Sequence, residues 1–244
     1  NCSSLSSITI PGGVTSIGSN TFSDCSSLSS VTFDGDSQLT SIDYNAFYDC
    51  SSLSSINIPD GVKSIGDYAF EGCSSLSTVT FGENSQLTSI GSQAFSKCSS
   101  LSSINIPEGV TSIDERTFED CSSLSSITIP ESVTSIGEFA FNGCSSLSSI
   151  TIPEGVKSIA DWTFNGCSSL SSITIPEGVT SIGSNAFRNC YSLSSITIPE
   201  GVTSIDSDAF SSCYSLVEVY NYSPSITVNK GETDSSNNGR LGQY

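Results

Sequence analysis

Residues 144–164 read CSSLSSITIPEGVKSIADWTF, from Cys144 to Phe164, and most of the chain consists of copies of this stretch. Cysteine marks the period: ten of them, from Cys2 to Cys213, follow one another at 23 residues, or at 25 after Cys25 and Cys73. Self-similarity at a fixed period of this size is the signature of a solenoid, in which each repeat is one coil that packs on its neighbours. Within the unit Leu147, Ile150, Ile152, Val156, Ile159 and Phe164 hold the apolar positions. Ile150-Thr151-Ile152 alternates with the period of a short strand, isoleucines inward and threonine outward. Pro153 ends that strand, and Ile152-Pro153-Glu154-Gly155 is expected to turn a corner as a type I turn with proline at its second position. Ser132 replaces the glycine in another copy, so a positive φ is not required there.

Val156-Lys157-Ser158-Ile159 reads as a second extended side of the coil. Thr163 to Cys167 is too short for an independent helix and is read as a single helical or 3₁₀ turn. One coil cannot bury these side chains alone, whereas stacked coils bury them against their own copies. At roughly 4.8 Å per parallel strand, nine coils make a rod of about 43 Å.

The pattern L-x-x-I-x-I-P-x-x-V-x-x-I-x-x-x-A-F-x-x-C, present from Leu193 through Ile196, Ile198, Pro199, Ala209 and Phe210 to Cys213, resembles the BspA-like, or Treponema pallidum-type, class of leucine-rich repeat. The resemblance spans Cys2 to about Leu216 and recurs in every repeat. It implies a repeat solenoid, mainly β: a curved, right-handed coil with a parallel sheet, short second strands and single helical turns. It also implies an extracellular or cell-surface protein, commonly adhesive, whose partner would be a host or matrix protein or a glycan.

The expected organisation is one elongated solenoid domain of about nine coils over residues 1–216, followed by a cap or connector over 217–244, where the repeat dissolves. Val217 to Tyr222 reads as a last strand-like run and Ser225-Ile226-Thr227-Val228 as a further strand. Lys230 to Gly242 is polar and reads as loop. Asn1-Cys2 reads as the end of a preceding repeat, so the chain is expected to be a segment of a longer one. Its exposed end coil would invite end-to-end or homo-oligomeric association.

Charge excludes whole classes of partner. With 25 acidic against 7 basic residues, a net charge of −18, the chain lacks the clustered Lys and Arg that displace counterions from phosphate, so nucleic acid and anionic membrane surfaces are disfavoured. No apolar run approaches the roughly 20 residues needed to cross a bilayer. Catalysis has little to work with. Histidine is absent, which removes Ser-His and Cys-His pairs. Carboxylates do form columns, since Glu108, Glu131, Glu154, Glu177 and Glu200 recur at one corner, but nothing distinguishes a catalytic pair. The column reads better as a solvated acidic edge than as a strip for divalent cations. No enzyme activity and no cofactor are expected.

Two corners depart from the rule. Phe33-Asp34-Gly35-Asp36-Ser37-Gln38 and Phe81-Gly82-Glu83-Asn84-Ser85-Gln86 replace the Ile-Pro-Glu-Gly corner and account for the spacings of 25. Their oxygens make a calcium site conceivable. A longer polar turn that the solenoid tolerates is the favoured reading. The cysteines, one per coil at an equivalent place, would stack in parallel. A buried ladder of free thiols is favoured over disulfides, and zinc is less favoured still, with no histidine and no close cysteine pair.

Recognition in a repeat protein lies where repetition fails. The outward residues of the I-T-I strands are nearly uniform Ser, Thr and Asn. Such hydroxyl rows resemble those of ice-binding solenoids, but the mixing of Ser and Asn and the curvature of this repeat class argue against that function. The column just before the Ala-Phe pair varies instead: Asn20, Asn45, Tyr68, Gln93, Arg116, Phe139, Trp162, Asn185, Asp208. Arg116, Phe139 and Trp162 fall on three consecutive coils, and Arg and Trp are the residue types most enriched at binding hot spots. These three with Tyr68 are the candidate ligand-binding residues, weighed evenly against drift at the surface. Tyr191 and Tyr214 make a second, shorter stripe that reads as local capping. A passive spacer is the alternative to a binding module.

Overall fold

The structure, a computed structural model, describes residues 2–226 and is a solenoid of parallel strands with no helix among them. The I-T-I segments stack in register: Ser7–Ile10 on Ser30–Phe33, and so on to Ser126–Thr128, forming one six-stranded sheet. The second side of each coil is a two-residue strand, as in Ser16–Ile17, Ser41–Ile42 and Ser64–Ile65, again paired in parallel with its copies. The cysteine-to-leucine turn then leads into the next strand. The segment 217–226 adds Glu218–Asn221, which pairs with Ser195–Ile198 as a further rung. Thr227, Val228 and the polar run from Lys230 lie outside the described residues.

The core is a set of ladders along the rod. One phenylalanine per coil, from Phe22 to Phe210, stacks on the next with ring centroids 5.2 to 5.7 Å apart. Leu, Val, Ile and Cys ladders pack around them, nearly all buried. The thiols from Cys2 to Cys190 are free. From Cys50 to Cys213 the thiols donate a hydrogen bond to the phenylalanine carbonyl of the preceding coil, at 3.0 to 3.2 Å in each case, for example Cys144 Sγ to Phe118 O at 3.1 Å. Each thiol thus behaves as a small apolar side chain with its one weak donor satisfied.

Proline decides how far the sheet pairs. Three neighbours run in register over four residues: Ser7–Ile10 with Ser30–Phe33, Ser55–Ile58 with Thr78–Phe81, and Ser195–Ile198 with Glu218–Asn221. In each, the residue after the later strand is not proline: Asp34, Gly82 and Tyr222. The amides of Asp34 and Tyr222 donate to the carbonyls of Ile10 and Ile198 at 3.1 and 2.9 Å. Where that place holds Pro59, Pro107 or Pro130 there is no N–H to give, and the register shortens to one or three residues. Between the coils carrying Pro153 and Pro176 only a bridge from Thr151 to Thr174 remains, so the strands expected there are not formed in full.

Two expectations need correction. The corner turn is closed by Val156 N–H donating to Pro153 O at 3.1 Å, which puts proline at the first position of the turn, not the second. Gly155 and Ser132 both avoid positive φ, as the substitution implied. Secondly, the segment before cysteine is not a helical turn. In the coil of Asn20, the amides of Thr21, Ser23 and Cys25 close successive turns on Gly18, Asn20 and Phe22, while those of Asn20, Phe22 and Asp24 cross to Tyr44, Ala46 and Tyr48 of the next coil at 2.8 to 3.0 Å. Half of the amides thus serve stacking, which a helical turn would have consumed internally. The price of this alternation is left-handed backbone at two residues per coil, such as Asn20 and Asp24, both at φ 58°.

The two longer corners are β-turns folded back on the preceding coil. Ser37 and Ser85 amides close onto Asp34 and Gly82, and Gln38 and Gln86 amides reach Gly12 O and Asp60 O. The Asp34 carboxylate accepts from Gly12 N–H at 3.2 Å. Among the described residues no three acidic or cysteine side chains converge closely enough to hold a metal ion, and no helix is long and apolar enough to cross a membrane.

Candidate functional site

Each member of the variable column occupies the first of the two left-handed positions, with φ between 55° and 59° from Asn20 to Asp208. Asn and Asp tolerate this conformation, and glycine prefers it; for bulky side chains it costs on the order of 1–2 kcal/mol. Asn20, Asn45, Asn185 and Asp208 conform. Tyr68, Gln93, Arg116, Phe139 and Trp162, on five successive coils, do not. The second left-handed position, before cysteine, conforms throughout most of its length, with Asp24, Asp49, Gly72, Asp120, Gly143, Gly166 and Asn189. Departure from the favoured residue types is therefore concentrated in one column and one stretch of the rod.

The geometry turns these residues outward and one above the other. Phe139 and Trp162 stack with centroids 5.7 Å apart and planes within 6°. The Arg116 guanidinium lies 4.3 Å over the outer face of Phe139, and Arg188 lies 5.9 Å from the Trp162 centroid. The four form a continuous cation–ring–ring–cation pile across four coils, half-buried throughout. Arg116 is steadied by Glu115, 3.1 Å from its Nε, and Glu119, 3.9 Å from Nη1. Arg188 donates to Asn185 Oδ1 at 3.2 Å.

Alongside runs a ladder of amides: Asn142 donates to Glu119 at 2.9 Å, Asn165 to Asn142 at 2.6 Å and Asn189 to Asn165 at 3.2 Å. An acidic residue precedes each of Arg116, Phe139 and Trp162 in the chain: Glu115, Glu138 and Asp161. The face thus consists of an acidic row, an aromatic and arginine row, and an amide row.

Arg116, Phe139 and Trp162 are brought together as their column predicted. Tyr68 is not part of the pile. Gln93 intervenes, and Tyr68 packs edge to face on Tyr44 at 5.5 Å, making a smaller aromatic pair on the same face. Arg188 was missed because it stands in a different column, three residues after Asn185; its only sequence signal is that it is one of 7 basic residues. Beneath Tyr48, Glu71 is 6% exposed and paired with Lys97 Nζ at 2.8 Å, a cross-coil ion pair also invisible in single repeats. Tyr191 and Tyr214 stack at 5.7 Å, exposed.

Among the outward strand hydroxyls, Thr9 and Thr32 hydrogen-bond each other at 2.9 Å and Thr80 donates to Asn57 Oδ1 at 3.0 Å, and the hydroxyls that flank the strands also bridge coils. Ser29, Ser77, Ser125 and Ser171 donate their hydroxyls to backbone carbonyls of the preceding coil at 3.0 to 3.3 Å, as do Thr40 and Thr88 at 2.9 and 3.1 Å. These flanking groups tie coil to coil.

A family model, the BspA type leucine rich repeat region, matches residues 1–125 and 111–230. A leucine-rich repeat protein of T. pallidum is 33% identical over 78% of each chain, with a TM-score of 0.63. A leucine rich cell surface protein of Faecalibacterium prausnitzii is 31% identical, the match covering 89% of this chain and 79% of that one, with a TM-score of 0.51. The pneumococcal vaccine antigen PcpA, 22% identical over 92% of this chain and 70% of its own, shares the fold with a TM-score of 0.58. No curated protein sequence matches the chain.

Proposed function

The chain belongs to the BspA-type leucine-rich repeat family, and on that premise we propose that it is a non-enzymatic, adhesin-like binding module, secreted or on a cell surface, that recognises a protein or glycan through the face bearing Tyr68, Arg116, Phe139 and Trp162. The observation that carries this reading is the run of bulky side chains at a left-handed position where Asn would cost less. Residues held in sparsely populated backbone regions cluster at sites of function, where the strain is retained for what the side chain does. Here the result is a solvent-facing pile of two rings and two guanidiniums on a rod whose other faces carry mainly small polar residues and acids. A relative of F. prausnitzii that is 31% identical is described as a cell surface protein, which supports the same placement for this one.

Binding of the chain to a panel of host extracellular-matrix proteins and glycans tests the proposal. Loss of binding in Phe139→Ala plus Trp162→Ala, at unchanged folding, is the expected result. No binding by the unaltered chain across the panel would favour a spacer that holds other domains away from a surface.

A further inference from the structure

We propose that the stripe from Arg116 to Arg188 docks a basic α-helical segment of a partner protein; this rests on the binding-module reading above and gives it a ligand class. Three features of the stripe point the same way.

The first is spacing. Phe139 and Trp162 are 5.7 Å apart, and the core rings beneath them repeat at 5.2 to 5.7 Å. An α-helix advances about 5.4 Å per turn, so a helix laid along the rod meets one coil with each turn. Residues at i, i+4 and i+7 then fall over successive coils. An extended chain advances about 6.6 Å for every two residues and loses step within a few coils.

The second is charge. Glu115 and Glu138 are exposed and Asp161 is half-buried, in a row beside Arg116, Phe139 and Trp162. Asp161 also accepts from Ser184 N–H at 2.8 Å, which fixes its carboxylate. The chain behind them carries 25 acidic against 7 basic residues. Lysines or arginines on one side of the docked helix would lie along this row, and the long-range field would steer them to it.

The third is which part of the rings is free. Arg116 covers one face of Phe139, Phe139 and Trp162 cover each other, and Arg188 stands over the far face of Trp162. What remains are ring edges. A sugar that stacks flat on an aromatic ring finds no open face, whereas the aliphatic stems of lysine or leucine pack well against edges.

The probe is a fluorescently labelled, alanine-rich synthetic peptide of about 17 residues, with lysine at every fourth position and leucine beside it. An isomer of the same composition carries lysine at every second position, and a third peptide replaces lysine by glutamate. Anisotropy titrations compare the full chain with Glu138→Lys, with Glu131→Lys at the corner column, and with Phe139→Ala plus Trp162→Ala. The two lysine variants change net charge equally, so their difference isolates the stripe from general attraction.

The expected result is binding of the first peptide that weakens about tenfold or more in Glu138→Lys and in the ring variant, less than about twofold in Glu131→Lys, and falls as salt rises. Equal losses in the two lysine variants, or equal affinity for the isomer, overturn the proposal. Preference for the glutamate peptide or for a sulfated glycan overturns it while leaving a binding module standing. Failure of the peptides together with the whole matrix and glycan panel overturns both.

Discussion

Raising the pH from 8 to 10.5 under reducing conditions is expected to strip the solenoid of most of its stability. Burial pushes the thiols of Cys50 and Cys213 up to about 12, and those of Cys73, Cys98, Cys121, Cys144, Cys167 and Cys190 also rise well above the ordinary value of 9.0, burial again being the largest cause. A group whose pKa is raised by folding contributes stability that is fully present below its unfolded pKa and is lost as pH rises toward the folded one. Below about pH 8 both states are protonated and almost nothing is lost. At pH 10 an unfolded thiol is mostly thiolate while the buried one is not, a difference of about 1.4 kcal/mol per thiol. Eight such thiols amount to about 11 kcal/mol if the rod unfolds as a unit, which is the size of a typical domain's whole stability. Urea denaturation followed by circular dichroism at intervals of half a pH unit measures this directly. The midpoint should hold level to about pH 8 and then fall steeply. Changing Cys98, Cys121 and Cys144 to alanine should flatten the fall by about three eighths, whatever it does to stability at pH 7. A midpoint unchanged to pH 10.5 would refute the burial of the thiols.

Gln93→Asn, at a left-handed position with no ring to lose, should raise stability by about 1 kcal/mol, read as a higher urea midpoint at unchanged slope. Phe141→Ala removes a fully buried ring stacked on both sides and should cost about 3–5 kcal/mol, with the thermal transition splitting or broadening because each coil depends on its neighbours. Lys97→Met leaves the Glu71 carboxylate buried without its cation and should cost about 1–3 kcal/mol; Glu71→Gln added to it should restore part of the loss, and a double-mutant cycle reads the coupling.

What the sequence made legible was whatever one repeat determines alone. Ile150 and Ile152 announce an inward face, Pro153 an end and Cys144 a period, so the parallel coils and the cysteine ladder could be read without coordinates. What escaped were matters settled between coils. The left-handed conformation of Phe139 and Trp162 is signalled only by Asn20, Asn45 and Asn185 in their column, and it arises because alternate amides cross to the next coil. The same crossing is why Thr163 to Cys167 failed to be helical. Arg188 reaches Trp162 from another column, and no single repeat displays that contact. The shortened strands around Thr151 required knowing which carbonyl Pro153 and Pro176 leave unanswered.

That unanswered carbonyl has a mechanical meaning. On the turn side, each coil is fastened to the next by three amides, as Phe139, Phe141 and Gly143 are to the coil of Trp162. On the strand side, between the coils of Thr151 and Thr174, a single β-bridge and the bonds of Ser171 to Ser148 O do the same task, in place of a continuous ladder. Pulled along its axis, the rod is therefore expected to gape at its proline edge while the opposite edge holds as a hinge, so that a tether at a surface would yield by bending before any coil unravels.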